Sequence, residues 1–170
     1  VSFELANKGF LTRGGVSIGK LIHTQDFIFG PALNEAYEIE SKKANFPRII
    51  VDEKVIKNGI DYRKKINSKK DENESIMNIL TLDEDGLHYI DYIGKSSSEF
   101  DDLEYDLYYY LTRLQSNYFQ NYNNEIPEVK KKLDWLKVKL NTYIRQIKSN
   151  LDNPSFQVEI VELYSSLKEL

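Results

Sequence analysis

The chain has 170 residues, 41% hydrophobic and 29% charged, with a formal net charge of -4 from 23 basic and 27 acidic side chains. That is enough apolar material for a packed core, and the near-neutral balance gives no reason to expect nucleic acid as a partner. Cysteine is absent, which excludes disulfides, thiol catalysis and cysteine metal sites.

No apolar run approaches the ~20 residues of a spanning helix, so no membrane partner is expected. The absence of cysteine fits a reducing compartment, and a cytoplasmic location is the expectation. The chain opens on Val1 rather than methionine, and a segment upstream of it is expected.

In chain order, residues 2–8 read as the end of a helix stopped by Gly9. Val16, Ile18 and Leu21 give residues 11–23 a strand pattern, interrupted by Gly14, Gly15 and Gly19. Glycines inside a strand mark a bulge or the close approach of another backbone or a ligand. Gly30-Pro31 opens a helix that runs to about Ala44, with Leu33, Ala36, Tyr37 and Glu40 on its apolar face and Ile39 beside it. Arg48 to Val51 reads as a short strand covered on both sides of a sheet.

Residues 52–60 predict a short helix or turn, and residues 61–74 a solvated, charged loop that is the best internal linker. Lys64, Lys65, Lys69 and Lys70 of that stretch are candidates for a local basic patch. Residues 79–92 form a β-hairpin about the acidic turn Asp83-Glu84-Asp85-Gly86, whose acids read as solvated.

Ser96 to Ser98 then cap a helix carrying Leu103, Leu107, Tyr110, Leu111 and Leu114, and Pro127 opens a second with Leu133, Leu136, Leu140, Tyr143, Ile144 and Ile147. Phe156, Val158 and Ile160 alternate as a strand would before the segment turns helical. A small sheet unit followed by helices makes an α+β chain.

The helix start after Gly30-Pro31 directs backbone N–H groups at whatever precedes it, which favours anions such as phosphate, and Asn34 in its first turn is placed to bond a ribose or phosphate. Neither GxxxxGK[ST] nor GxGxxG occurs. His23 and His88 lack the acid pattern of a zinc site, and no serine carries a triad signal.

The segments RGGVSIG, FGPALNEAYEIES and FPRIIVD, all within residues 13–52, resemble the second half of the class III nucleotidyl cyclase catalytic domain. The likeness is to a bacterial branch, some members of which make cyclic pyrimidine nucleotides in anti-phage signalling. Gly30, Leu33, Asn34 and Ala36 match the family's G-x-x-V-N-x-A-x-R helix, and LHYIDYIG with Lys132 to Leu136 and Asn141 looks like the tail of the same branch.

The resemblance implies a ferredoxin-like, cyclase-type sheet incomplete at its N-terminus. Residues 1–94 would be the C-terminal part of the cyclase-like domain and residues 95–170 a helical extension packed on it. It also implies a nucleoside triphosphate substrate, a 3′,5′-cyclic product, and a homodimer, for which Tyr108, Tyr109, Leu111, Trp135 and Leu136 are of the residue types that anchor interfaces, although Trp135 is expected instead to pack against the sheet within the chain.

Asn34 would be catalytic, orienting the ribose. Gly30, Asn34, Arg13 and Lys20 would bind substrate. Mg or Mn would be held in the intact protein by two aspartates of the upstream half, which no residue of this chain replaces, so the chain by itself is expected to be inactive.

Two departures from the family pattern stand out. Glu38 occupies the position of the arginine that stabilises the transferred phosphoryl group, leaving Arg13 or Lys20 as substitutes. Phe27 occupies the purine-reading aspartate position, with Asp26 one residue away. Two readings therefore stay open, an active cyclase once the upstream half is present, and an inactive pseudo-cyclase kept for dimerisation or nucleotide sensing.

Overall fold

The computed structural model describes residues 1–153 and 157–170. Its elements in chain order are α1 (Ser2–Asn7), β1 (Gly14–Val16), β2 (Ile22–His23), β3 (Ile28–Phe29), α2 (Pro31–Lys42), β4 (Ile49–Val51), α3 (Glu53–Asp61), α4 (Lys69–Met77), β5 (Leu80–Leu82), β6 (His88–Ile90), α5 (Leu103–Asn121), α6 (Pro127–Ser149) and α7 (Val158–Ser165). The fold is α+β. Thr12–Asp91 forms a sheet unit, while Val1–Leu11 and Tyr92–Leu170 together form a helical unit.

In the sheet unit, four strands run in the order β1-β4-β6-β5. β1 and β4 are parallel, Gly15 opposite Ile50, and α2 is the crossover between them. β6 adds antiparallel to β4, with Ile50 opposite Tyr89, and β5 closes the hairpin, with Thr81 opposite Tyr89. Gly86, at φ 77°, makes the turn of that hairpin. The expected strand over residues 11–23 is two short strands, β1 and β2, and β2 pairs with β3 in a separate two-stranded hairpin.

Both faces of β4 are covered, as its run of branched residues predicts. Ile50 packs with Ile39 and Ala44 on the α2 side. Val51 packs with Ile56 and Leu80 on the other, where Ile60, Ile76 and Met77 join it.

The buried stripe of α2 differs from the predicted one. Ala32 and Ile39 are buried, whereas Leu33 and Tyr37 are exposed. The reason is Gly15, where an added Cβ would lie 2.4 Å from the Ala36 carbonyl oxygen and 2.8 Å from Ile39 Cβ. A strand backbone that close to Ala36 and Ile39 sets which face of the helix turns inward, and it leaves Leu33 and Tyr37 on the outer side.

The charged stretch predicted as a loop is helical over Lys69–Met77. Ser68 and Asp71 form a reciprocal capping box, which satisfies two helix-end donors at once.

In the helical unit, α5, α6 and α7 bury Leu107, Leu111, Leu114, Leu136, Leu140 and Ile160. The buried Tyr110 hydroxyl donates to the Tyr92 carbonyl at 2.7 Å, and Phe3 of α1 packs on the Tyr110 ring at 4.9 Å or less from both it and Phe100. Buried Asn141 accepts from the Leu170 N–H at 2.8 Å and fixes the end of the chain.

Asp102, not a serine, caps α5, accepting from the N–H groups of Glu104 and Tyr105. Val158 and Ile160 lie in α7 rather than in a strand, and Phe156 falls outside the described residues. Of the five candidate dimer anchors, Leu111, Trp135 and Leu136 are buried within this unit and Tyr108 is half-buried, while Tyr109 is exposed.

Candidate functional site

The parallel pair β1 and β4 sends both carboxyl ends to one end of the sheet unit, where α3 follows β4 directly and α2 starts after the β2–β3 hairpin. Open crevices at the carboxyl ends of parallel strands are the usual ligand positions in such sheets. Gly30 is the N-cap of α2 at φ 146°, a backbone region that favours glycine. A Cβ there would lie 2.6 Å from the Lys20 carbonyl oxygen. The Ala32 N–H donates to that same oxygen at 3.3 Å.

The structure therefore brings Lys20, Gly30 and the first turn of α2, with Asn34 in it, to one place. Asn34 is exposed, and Lys20 is exposed as well. Arg13 is elsewhere: it pairs with Glu40, near the opposite end of α2.

The anion-binding expectation for the helix start changes in detail. Pro31 has no N–H, Ala32 gives its own to Lys20, and the Leu33 and Asn34 N–H groups reach the Gly30 carbonyl at 3.1 and 3.2 Å. Those first-turn donors are already engaged. What this end offers a ligand is side-chain chemistry, the Asn34 amide and the Lys20 ammonium.

A second polar group sits between β1, α2 and α3. The Ser17 hydroxyl donates to Glu35 Oε2 at 2.8 Å, and Lys54 Nζ lies 3.3 Å from both Glu35 oxygens. The Ser17 hydrogen bond, followed by the Lys54 ammonium, holds the Glu35 carboxyl below its usual range. Asp52 caps α3 by accepting from the Lys54 N–H at 2.8 Å, which sets the lysine at the same edge. No motif in the sequence singles out Ser17, Glu35 or Lys54. Glu35, adjacent to Asn34, was the available signal.

Glu38 points to solvent and pairs with Lys42 at 3.1 Å one turn on. Asp26 lies in the turn of the β2–β3 hairpin, its N–H directed to Thr24 Oγ1 at 3.3 Å, and the Phe27 ring lies tilted beside that of Phe29 at 5.7 Å. Of the candidate basic patch, Lys69 pairs with Asp61 and Lys70 with Glu74, each at 3.7 Å, which neutralises half of it.

His23 is exposed on β2. His88 lines a cavity of about 450 Å³ beside α3, with Lys57, Ile60 and Asp61. None of Arg13, Lys20, Gly30 and Asn34 lines that cavity.

The acids of the hairpin turn are not all solvated. Asp83 is buried, because the fully buried Arg48 guanidinium binds it and Asp85 together. Among the described residues, no three His, Cys, Asp or Glu side chains gather where they could hold a metal ion. No described helix is long and apolar enough to cross a membrane.

Comparison of the chain with protein-family models, with curated proteins and with solved structures found no match.

Proposed function

We propose that the sheet unit is the nucleotide-contacting back half of a class III nucleotidyl cyclase-like domain. In the intact, homodimeric protein that domain converts a nucleoside triphosphate to a 3′,5′-cyclic nucleotide and pyrophosphate. The observation that carries the reading is the β1–α2–β4 crossover. The three segments that resemble the family are a strand, a glycine-started helix and a strand parallel to the first. A ferredoxin-like sheet completed by upstream strands goes with this reading.

In it, Asn34 orients the ribose from the first turn of α2, and the Lys20 ammonium screens phosphate charge beside it. Mg or Mn ions in the intact protein would neutralise the triphosphate and activate the attacking hydroxyl. The described residues provide no matching ligand set, and no step is derived through the metal.

The test is incubation of the protein that includes its upstream half with Mn²⁺ and each of the common nucleoside triphosphates. A cyclic product, pyrimidine or purine, is the expected result. Binding without any cyclic product would remove the enzyme reading and leave the pseudo-cyclase, which is favoured by Glu38 at the arginine position and its solvent-side pairing with Lys42.

Asn34→Ala is expected to weaken triphosphate binding about tenfold, the loss of one good polar contact. Unchanged affinity in equilibrium titration with a fluorescent triphosphate would show that Asn34 has no part in binding.

A further inference from the structure

The cavity of about 450 Å³ on the α3 side of the sheet unit has a size that suits a small molecule. Ile56 and Ile60, one turn apart on α3, form its apolar wall. His88 enters it from β6. Strand side chains alternate, and Ile90, two residues on, packs with Val51, Ile56 and Leu80, so His88 stands on the same face of the sheet as α3.

Most of the charge around this cavity is already answered. Lys54 pairs with Glu35 at 3.3 Å and Asp61 with Lys69 at 3.7 Å. Glu53 opens α3, where the helix N-terminus stabilises a negative charge. Lys57 is exposed and has no ion-pair partner among the described residues. His88 carries a second unmet group: its Nδ1 is buried and has no hydrogen-bond partner. Of the two neutral tautomers, the one protonated on Nε2 strands only a lone pair at that buried position, not a polar N–H. It leaves an Nε2–H donor as the part of the ring that a ligand can reach.

We infer that this cavity binds a small carboxylic acid with an apolar body. Lys57 and the His88 Nε2–H hold the carboxylate, and the body lies on Ile56 and Ile60. Both free groups are donors, so the polar end of the ligand is an acceptor. One uncommitted cation and one neutral donor match the single charge and two oxygens of a carboxylate. A phosphate would ask for more donors, and the α3 N-terminus that would supply them has its Lys54 N–H already taken by Asp52. Neither Lys20 nor Asn34 lines the cavity, so the site stands whether or not the protein binds a nucleotide.

The experiment is titration of the 170-residue chain with phenylbutyrate, followed in carbon–proton NMR spectra of its two imidazole rings. His23, exposed on β2, is the internal control. The parent is run beside Lys57→Gln, at an exposed helix position, and Lys64→Gln, which removes a charge outside the cavity. Phenylbutanol tests the need for the carboxylate, and inorganic phosphate tests the need for the apolar body. Circular dichroism identifies the folded samples.

The expected result is a saturable shift of the His88 signal with a Kd below about 1 mM and no shift at His23. Binding is expected to be about tenfold weaker in Lys57→Gln and unchanged in Lys64→Gln. No shift at His88 up to about 10 mM ligand, or parent-like affinity in folded Lys57→Gln, would overturn the site. Equal binding of phenylbutanol would overturn the carboxylate, and a phosphate shift as large as that of phenylbutyrate would overturn the apolar body. If Lys57→Gln does not fold, the phenylbutanol comparison on the parent decides whether a charge is read.

Discussion

Arg48→Met is expected to destabilise the sheet unit by about 3–5 kcal/mol, the penalty for breaking a buried ion pair by removing one partner. Arg48 has no solvent exposure, and Asp83 has 8%. The guanidinium binds Asp83 and both oxygens of Asp85, and its carbon lies 5.1 Å from the Phe46 ring centre and 5.9 Å from that of Tyr89. Methionine fills much of the arginine's volume but supplies no cation, so the largely buried Asp83 carboxylate loses the guanidinium that balances its charge. The same contact ties the entry of β4 to the β5–β6 turn, so its loss acts on the strand pairing itself.

The readout has to come from the right unit. Trp135 lies in the helical unit, so its fluorescence is not a probe placed in the sheet unit. Amide exchange at Ile50 and Tyr89 is such a probe, and it is expected to rise at least about a hundredfold if β4 and β6 open together with the unit. Adding Asp83→Asn to Arg48→Met removes the buried carboxylate charge that Arg48 balances and is expected to recover at least about 1 kcal/mol. A loss below about 1 kcal/mol in the single variant would place the pair with ordinary surface ion pairs instead.

The same cluster gives the unit an acid limit. The hydrogen bond from Arg48 holds the Asp85 carboxyl below its usual range, against a smaller opposing effect of burial. A carboxyl whose folded-state value is depressed stabilises the fold above its unfolded value, and that contribution is lost as pH falls through the folded one. Amide protection in the sheet unit is therefore expected to decline below the ordinary aspartate range, about pH 4, and to decline less in Arg48→Met. Glu35, lowered by Ser17 and Lys54, contributes with the same sign and persists in the variant. A parent and variant with parallel acid profiles would remove Asp85 from the account.

Local signals made much of the sheet unit readable. Gly30-Pro31 marked the start of α2, the branched run Ile49 to Val51 marked a strand covered on both sides, and the glycine-ended acidic turn marked the β5–β6 hairpin. The unread parts depend on partners distant in sequence. Asp83 looked solvated because Arg48, 35 residues earlier, is what buries it. Periodicity points to Leu33 and Tyr37 as the inner face of α2 because it weighs apolar residues alone, whereas the close approach of Gly15 to Ala36 and Ile39 decides which face turns inward. α4 was hidden by its charge, since Ile76 and Met77 at its far end make its core contacts, although the spacing of Ser68 and Asp71 was there to be read. For the candidate site, the nearness of Lys20, Gly30 and Asn34 follows from a local turn. The capture of the Ala32 N–H by the Lys20 carbonyl is a three-dimensional fact that no spacing encodes.

Gly15→Ala is expected to be nearly as damaging as Arg48→Met, at about 2–4 kcal/mol, and to reach the candidate site as well. Its new methyl would lie 2.4 Å from a helix carbonyl oxygen and 2.8 Å from Ile39 Cβ, so α2 must move away from β1. Neither obstacle is the free end of a flexible side chain, and the helix that must move carries Asn34 and Glu35 in its first turns. Gly19→Ala is the graded comparison: its methyl would meet Ala32 Cβ at 3.4 Å, a contact a small adjustment relieves. Gly86→Ala isolates the backbone effect, since φ is 77° and no atom lies within 4 Å, leaving about 1 kcal/mol for the left-handed conformation alone. The expected order of loss, read by amide exchange in β4, is Gly15 well above Gly86 and Gly19. If Gly15→Ala costs no more than Gly19→Ala, then α2 is not held against β1 by that glycine. The outward turn of Leu33 and Tyr37 would then need another cause.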